Sequence, residues 1–77
     1  MARERAWLDR TLDRLPLDLR AVLVLFELED LTAPEIAKLL DLPVGTVASR
    51  LRRARQLFLE AAEELRRALA ERDEAAR

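Results

Sequence analysis

Residues 31–55, LTAPEIAKLLDLPVGTVASRLRRAR, read as two short helices parted by a sharp turn, the second carrying four arginines and no acid. Thr32 suits a helix N-cap, because its hydroxyl accepts from a main-chain N–H that otherwise lacks a partner. Glu35, three residues on, reaches back to the cap's own N–H and completes a capping box. Pro34 falls in the first turn, where its missing N–H costs nothing. Ile36, Ala37, Leu39 and Leu40 then form an apolar stripe at helical spacing. Asp41-Leu42-Pro43 stops this helix, since Pro43 disfavours helical geometry in the residue before it. A second helix opens at about Val44, which makes the stretch a helix-turn-helix.

At roughly 100° of rotation per residue, Val47, Leu51, Ala54, Phe58, Ala61, Leu65 and Leu69 fall within about 40° of one line along the second helix. Ser49, Arg52 and Arg53 point the other way, flanked by Thr46, Ala48 and Arg55. One face is built for a core and the other presents hydroxyls and guanidinium groups. Guanidinium suits phosphate oxygens and holds guanine through two hydrogen bonds in the major groove. Recognition helices of this motif set their N-terminal residues against base edges. The alternative is a solvated arginine face without a ligand. The clustering of the arginines just after a turn, with no acid in residues 44–59, favours DNA.

From Leu15 to Phe58 the chain resembles region four of the bacterial extracytoplasmic-function sigma factors. The residues that carry the resemblance are Leu15-Pro16, the apolar run Ala21 to Leu25, Leu31-Thr32, Glu35-Ile36-Ala37 and Leu42 to Val47. Ser49-Arg50-Leu51 and Arg53-Ala54-Arg55 complete it. The resemblance implies a domain that docks on the β flap of core RNA polymerase and reads the upstream (−35) promoter element. Its DNA-facing residues would be Ala48, Ser49, Arg52 and Arg53, flanked by Thr46, with Ala33 and Pro34 near the backbone. Arg50 and Arg55 would meet phosphates or intramolecular acids. The early helices would offer an apolar groove to the flap, a surface that an anti-sigma factor also covers. Two departures stand out. Ala48 occupies a position where the family carries Lys or Arg, and the family's promoter-melting module has no counterpart in 77 residues. The chain is therefore expected to dock and read DNA, as a fragment or as a stand-alone relative, without initiating transcription alone.

Composition agrees with a small helical domain. The expected fold is all-α, a four-helix, bundle-like single domain over residues 1–77 with a C-terminal helix-turn-helix and an extended last helix. The helices are expected at about 2–14, 16–29, 33–40 and 44–72. One glycine and three prolines argue against strands, and the Leu/Ala/Glu/Arg bias favours helices. Only Trp7, Phe26 and Phe58 are aromatic, so aliphatic side chains fill the core. The absence of cysteine excludes disulfides and thiolate chemistry. No run approaches the ~18 apolar residues of a membrane span, and the start does not read as a signal peptide, which points to the cytoplasm.

No histidine, cysteine or Gly-rich phosphate loop is present, and Ser49 has no base to activate it. Neither catalysis nor a cofactor or metal is expected. Gly45 is read as permitting close approach of DNA or of the preceding helix. The net charge of −1 gives no global pull toward nucleic acid. Residues 44–59 nevertheless hold four bases and no acid, a local stripe on an acidic body.

Outside the motif, residues 2–14 form an amphipathic helix around Trp7, Leu8 and Leu12. Trp7 reads as a half-buried anchor, or as a surface where a further domain packs. Leu19, Val22, Leu23 and Phe26 give the next helix its core stripe, while Val24, Leu25 and Leu28 make it apolar nearly all round. Such a helix is buried on more than one side. Either the first and last helices cover it, or Val24, Leu25 and Leu28 face a partner: polymerase, an anti-sigma factor or a second copy. A protein-interaction module of the same fold, without specific DNA binding, is the alternative function. Beyond Phe58 the last helix is expected to continue, its tail folding back or meeting a partner helix, with about the last five residues frayed.

Overall fold

The computed structural model describes residues 2–75, with side chains from residue 5 onward. Its helices are α1 (Ala2–Asp13), α2 (Leu17–Glu27), α3 (Ala33–Leu40) and α4 (Val44–Ala75), with no strand among the described residues. The fold is all-α, as its composition and periodicity indicate. No helix is long and apolar enough to cross a membrane among the described residues.

Side-chain and main-chain chemistry sets each boundary. α1 ends as Arg14 and Leu15 donate to the carbonyls of Thr11 and Leu12, at 3.2 and 3.0 Å. Pro16 precedes α2 in an extended conformation, its carbonyl accepting from Leu19 and Arg20. The link is pinned by Leu15, which is 2% exposed, and by Arg20, whose guanidinium donates to the Leu15 carbonyl at 3.1 Å. α2 stops two residues earlier than expected. The N–H groups of Leu28 and Glu29 both turn to the Val24 carbonyl, and Asp30 takes a left-handed φ of 57°.

α3 opens on the capping box. The Thr32 hydroxyl accepts from Glu35 N–H at 3.3 Å, and the Glu35 carboxylate accepts from Thr32 N–H at 2.9 Å. It closes at Asp41, which is left-handed at φ 56° and ψ 51°, while the Leu42 N–H bonds the Ala37 carbonyl at 2.9 Å. That is the helix-ending loop usually built on glycine. The reversal therefore sits two residues before Pro43, whose own carbonyl receives Thr46 and Val47 at the start of α4.

Two apolar clusters meet along α4. The first joins Leu12, Leu15, Leu19, Leu23 and Ala54, with Leu8, Val24, Leu57 and Phe58 against it. The second joins Val22, Ile36, Ala37, Val47 and Leu51, with Leu25 and Phe26 among its neighbours. Val22, Ile36, Val47 and Ala54 have no exposed surface. Ala54 is small where α2 and α4 pack, and Leu51, one turn earlier, serves the second cluster. α4 is thus the shared spine, and its first half fixes α2 and α3.

Trp7 is 38% exposed and stands edge-on to Phe58, with ring centroids 6.4 Å apart. It is the half-buried anchor of α1 on α4. An ion pair between Arg14 and Glu64 at 2.7 Å joins the same elements. Beyond it the tail does not fold back: residues 66–75 are all exposed, and the helix continues to Ala75. At ~1.5 Å per residue its 32 residues account for most of the 51 Å long axis. Of the residues expected to fray, those through Ala75 are helical, and residues 76–77 lie outside the described residues.

Candidate nucleic-acid interface

The second cluster decides which side of α4 looks outward. With Val47 and Leu51 buried against Ile36 and Val22, the opposite side of the first turns is turned away from the core. Ala48, Ser49, Arg52 and Arg53 are exposed there, and Thr46 and Arg50 are half-buried at its edges. Pro34 is exposed in the first turn of α3, whereas Ala33 is half-buried and packs on the second cluster. Among the described residues, neither Arg52 nor Arg53 has a hydrogen-bond or ion-pair partner. The Ser49 hydroxyl donates to the Thr46 carbonyl at 3.1 Å, so its proton is engaged while its lone pairs remain available.

Arg55 behaves differently. Its Nε and Nη2 donate to one carboxylate oxygen of Glu27, at 3.2 and 2.9 Å, and its guanidinium carbon lies 5.0 Å from the centroid of the Phe26 ring. Of the two roles open to it, phosphate or intramolecular acid, the structure shows the second. Its charge is directed to α2, not to the outward face. Gly45 is also settled in part, because a Cβ there would meet nothing within 4 Å. The preceding helix is not what it makes room for.

One outward residue escapes a reading centred on arginines. Gln56 is exposed and sits seven residues after Ser49, about 20° from it around the helix. The seven-residue spacing was the available signal. Gln has the donor–acceptor pair that adenine presents in reverse.

Electrostatic tuning elsewhere is local and exposed. The Thr32 N–H, and then its hydroxyl, holds the Glu35 carboxyl below its ordinary value. Arg66, at 2.6 Å, does the same for Glu63, with Arg67 adding a weaker attraction.

A second surface lies on the other flank of α4. Leu8 of α1, Val24 of α2 with Leu28 at its C-cap, and Phe58 and Leu59 of α4 line an apolar groove of about 410 Å³, with the Glu27–Arg55 pair as its polar lining. Leu28 and Leu59 are 54% and 69% exposed along it. Val24 and Leu28, two of the three residues expected to face a partner, lie in this groove. The third, Leu25, turns into the second cluster instead, because one residue of rotation separates the two sides of α2.

Residues 5–58 match the family described as "Sigma-70, region 4", a span containing both clusters, the helix-turn-helix and the groove residues up to Phe58. The chain is 53% identical over 47 residues to the ECF RNA polymerase sigma-E factor of Escherichia coli (strain K12), which covers 61% of this chain and 25% of that protein. The factor of the same name from Salmonella typhimurium (strain LT2) gives the same figures. That of Haemophilus influenzae (strain Rd) is 49% identical over 48 residues, 62% of this chain and 25% of the relative. The chain spans about a quarter of the length of these curated relatives. With the match covering most of the chain and the geometry above agreeing with it, the chain belongs to the sigma-70 region 4 family, as a DNA-binding helix-turn-helix domain of transcription.

Proposed function

We propose that this domain reads the upstream (−35) element of promoters through α4 and docks on the β flap of core RNA polymerase through the groove between α1, α2 and α4. The observation that carries the first half is the pair Arg52 and Arg53, exposed and without partners among the described residues, on a stretch of 16 residues (44–59) that holds no acid. Guanidinium groups left unneutralised on a recognition helix are matched to phosphate oxygens and guanine edges. Thr46, Ala48, Ser49 and Arg50 complete that surface, with Pro34 and Ala33 beside the backbone. Arg55 stays with Glu27 as part of the scaffold.

The second half rests on the groove. An exposed apolar channel flanked by Leu28 and Leu59 suits the apolar face of an amphipathic helix. The flap, an anti-sigma factor and a second copy of the domain would compete for it, and the relatives' name, RNA polymerase sigma-E factor, favours the polymerase. The setting is the cytoplasm. The groove also favours the alternative of a protein-interaction module that no longer reads DNA, since Ala48 brings no charge to the outward face.

Selection from a randomised duplex pool separates the two. An enriched sequence whose affinity falls steeply with salt is expected for promoter reading. A pool returned unenriched at low salt would leave the interaction module.

A further inference from the structure

Gly45 is the only glycine of the chain, and no contact among the described residues requires it. Its φ is not positive, and a Cβ would stand in open space. Glycine weakens a helix relative to alanine, so α4 carries the loss without an internal return. The position is not arbitrary. Gly45 lies about 20° around the helix from Arg52, on the outward line. Ala48, also exposed, lies one turn on, and Ser49 has turned its proton back to Thr46. On the line through Gly45, Ala48 and Arg52 the first turns therefore present main chain and a methyl group, with the exposed Val44 beside them and the half-buried Arg50 at the edge, before the exposed guanidinium of Arg52.

A helix whose outward line opens on a glycine seats deeper in the major groove than one with a side chain at that place. There the C5-methyl of thymine is the apolar group that a methyl side chain reads. We propose that DNA approaches α4 most closely over Gly45, and that the Ala48 methyl packs there on the C5-methyl of a thymine. Ala48 and Arg52 are about 6 Å apart along the helix, so this thymine lies about two base steps from the contact of Arg52. Ala48 is then a reading residue and not only a lost cation. The proposal rests on the DNA-reading assignment above.

The test starts from the enriched duplex and replaces each thymine in turn by deoxyuridine, which removes only the methyl group. One position is expected to weaken the unaltered protein about fourfold, the scale of one buried methyl, and to leave Ala48→Gly unaffected. Each comparison is a ratio within one protein, so any loosening of α4 by the added glycine cancels. In parallel, Gly45→Ala is expected to unfold at the same or a higher temperature, yet to bind the duplex roughly tenfold more weakly, as when a methyl is forced into a filled contact. Uniform tolerance of deoxyuridine, an equal loss in Ala48→Gly, or full affinity in Gly45→Ala would each overturn the proposal while DNA reading stands. A pool without any enriched duplex removes DNA reading itself, and the proposal falls with it.

Discussion

Arg53 and Arg55 sit two residues apart on one helix, and the fold gives them opposite fates. Arg53 looks outward with no partner among the described residues, whereas Arg55 is clamped between the Glu27 carboxylate and the Phe26 ring. Their side chains point about 160° apart, so one belongs to the recognition face and the other to the groove. The contrast teaches that an arginine's role on α4 is set by what α2 places opposite it. Charge counted along the sequence leaves Arg55 open between a phosphate and an intramolecular acid; the packing of α2 decides for the acid.

The recognition face rests on the second cluster, and in a domain this small the groove unfolds with it, so the largest effect comes from breaking that cluster. Ile36 has no exposed surface, and Ile36→Ala is expected to cost about 2–5 kcal/mol. That is a large share of what a domain this small has to lose. Thermal unfolding followed by circular dichroism should show the melting temperature collapse, with DNA and groove binding lost together. If either binding activity survives at full strength in the melted variant, the two faces do not share this scaffold.

Next in size is the direct comparison. Arg53→Ala is expected to weaken binding to the selected duplex by about 1–3 kcal/mol if its contact is bidentate to a base, with stability changed by no more than about 0.5 kcal/mol. Arg55→Ala should do the reverse. It loses an exposed ion pair worth about 0.2–1 kcal/mol and a stacked contact of similar size, while specific affinity changes less than for Arg53→Ala. Equal losses of DNA affinity in the two variants would erase the distinction between the faces.

The groove side is tested by Leu28→Asp. Leu28 is half exposed, so the fold should tolerate the change, but a helix docked in the groove would meet a charge. Loss of more than about 1 kcal/mol of affinity for the isolated flap is expected, with duplex binding unaltered. Unchanged flap binding would remove this groove from the docking surface.

How much of this was legible in the sequence follows from the range of each interaction. The Thr32–Glu35 box spans three residues and is written in the side chains that make it. The outward face of α4 follows from a period, and so does its buried line. The turns were less legible. Asp30 and Asp41 take left-handed conformations that glycine would have announced, and Pro43, the louder signal, lies after the reversal. The Arg55–Glu27 pair joins residues 28 apart, and nothing local reveals it. Leu25 shows the same limit. A helix apolar nearly all round does not say which leucine meets the core, and only the placement of α3 and α4 sends Leu25 inward and leaves Leu28 outside. Gln56 is legible by its seven-residue spacing from Ser49, although it adds no charge to the pattern.

The smallest expected effect concerns the cap that sets the start of α3, and with it the angle at which α4 is presented. Thr32 holds the Glu35 carboxyl below its ordinary value of 4.5. A depressed folded-state value means that the carboxylate contributes stability above the unfolded value, and that this contribution is lost as pH falls through the folded one. The negative charge also lies at the positive end of the α3 dipole. Glu35→Gln keeps an oxygen able to accept from Thr32 N–H but removes the titration and the charge. The variant should therefore melt slightly below the unaltered domain at pH 7, and the gap should close as the pH is lowered past 4.5 toward 3. The other carboxylates titrate in both proteins, so only the difference between the two melting curves reports on Glu35. A gap that stays constant from pH 7 to pH 3 would mean that the geometry of the capping box, and not its charge, holds the start of α3.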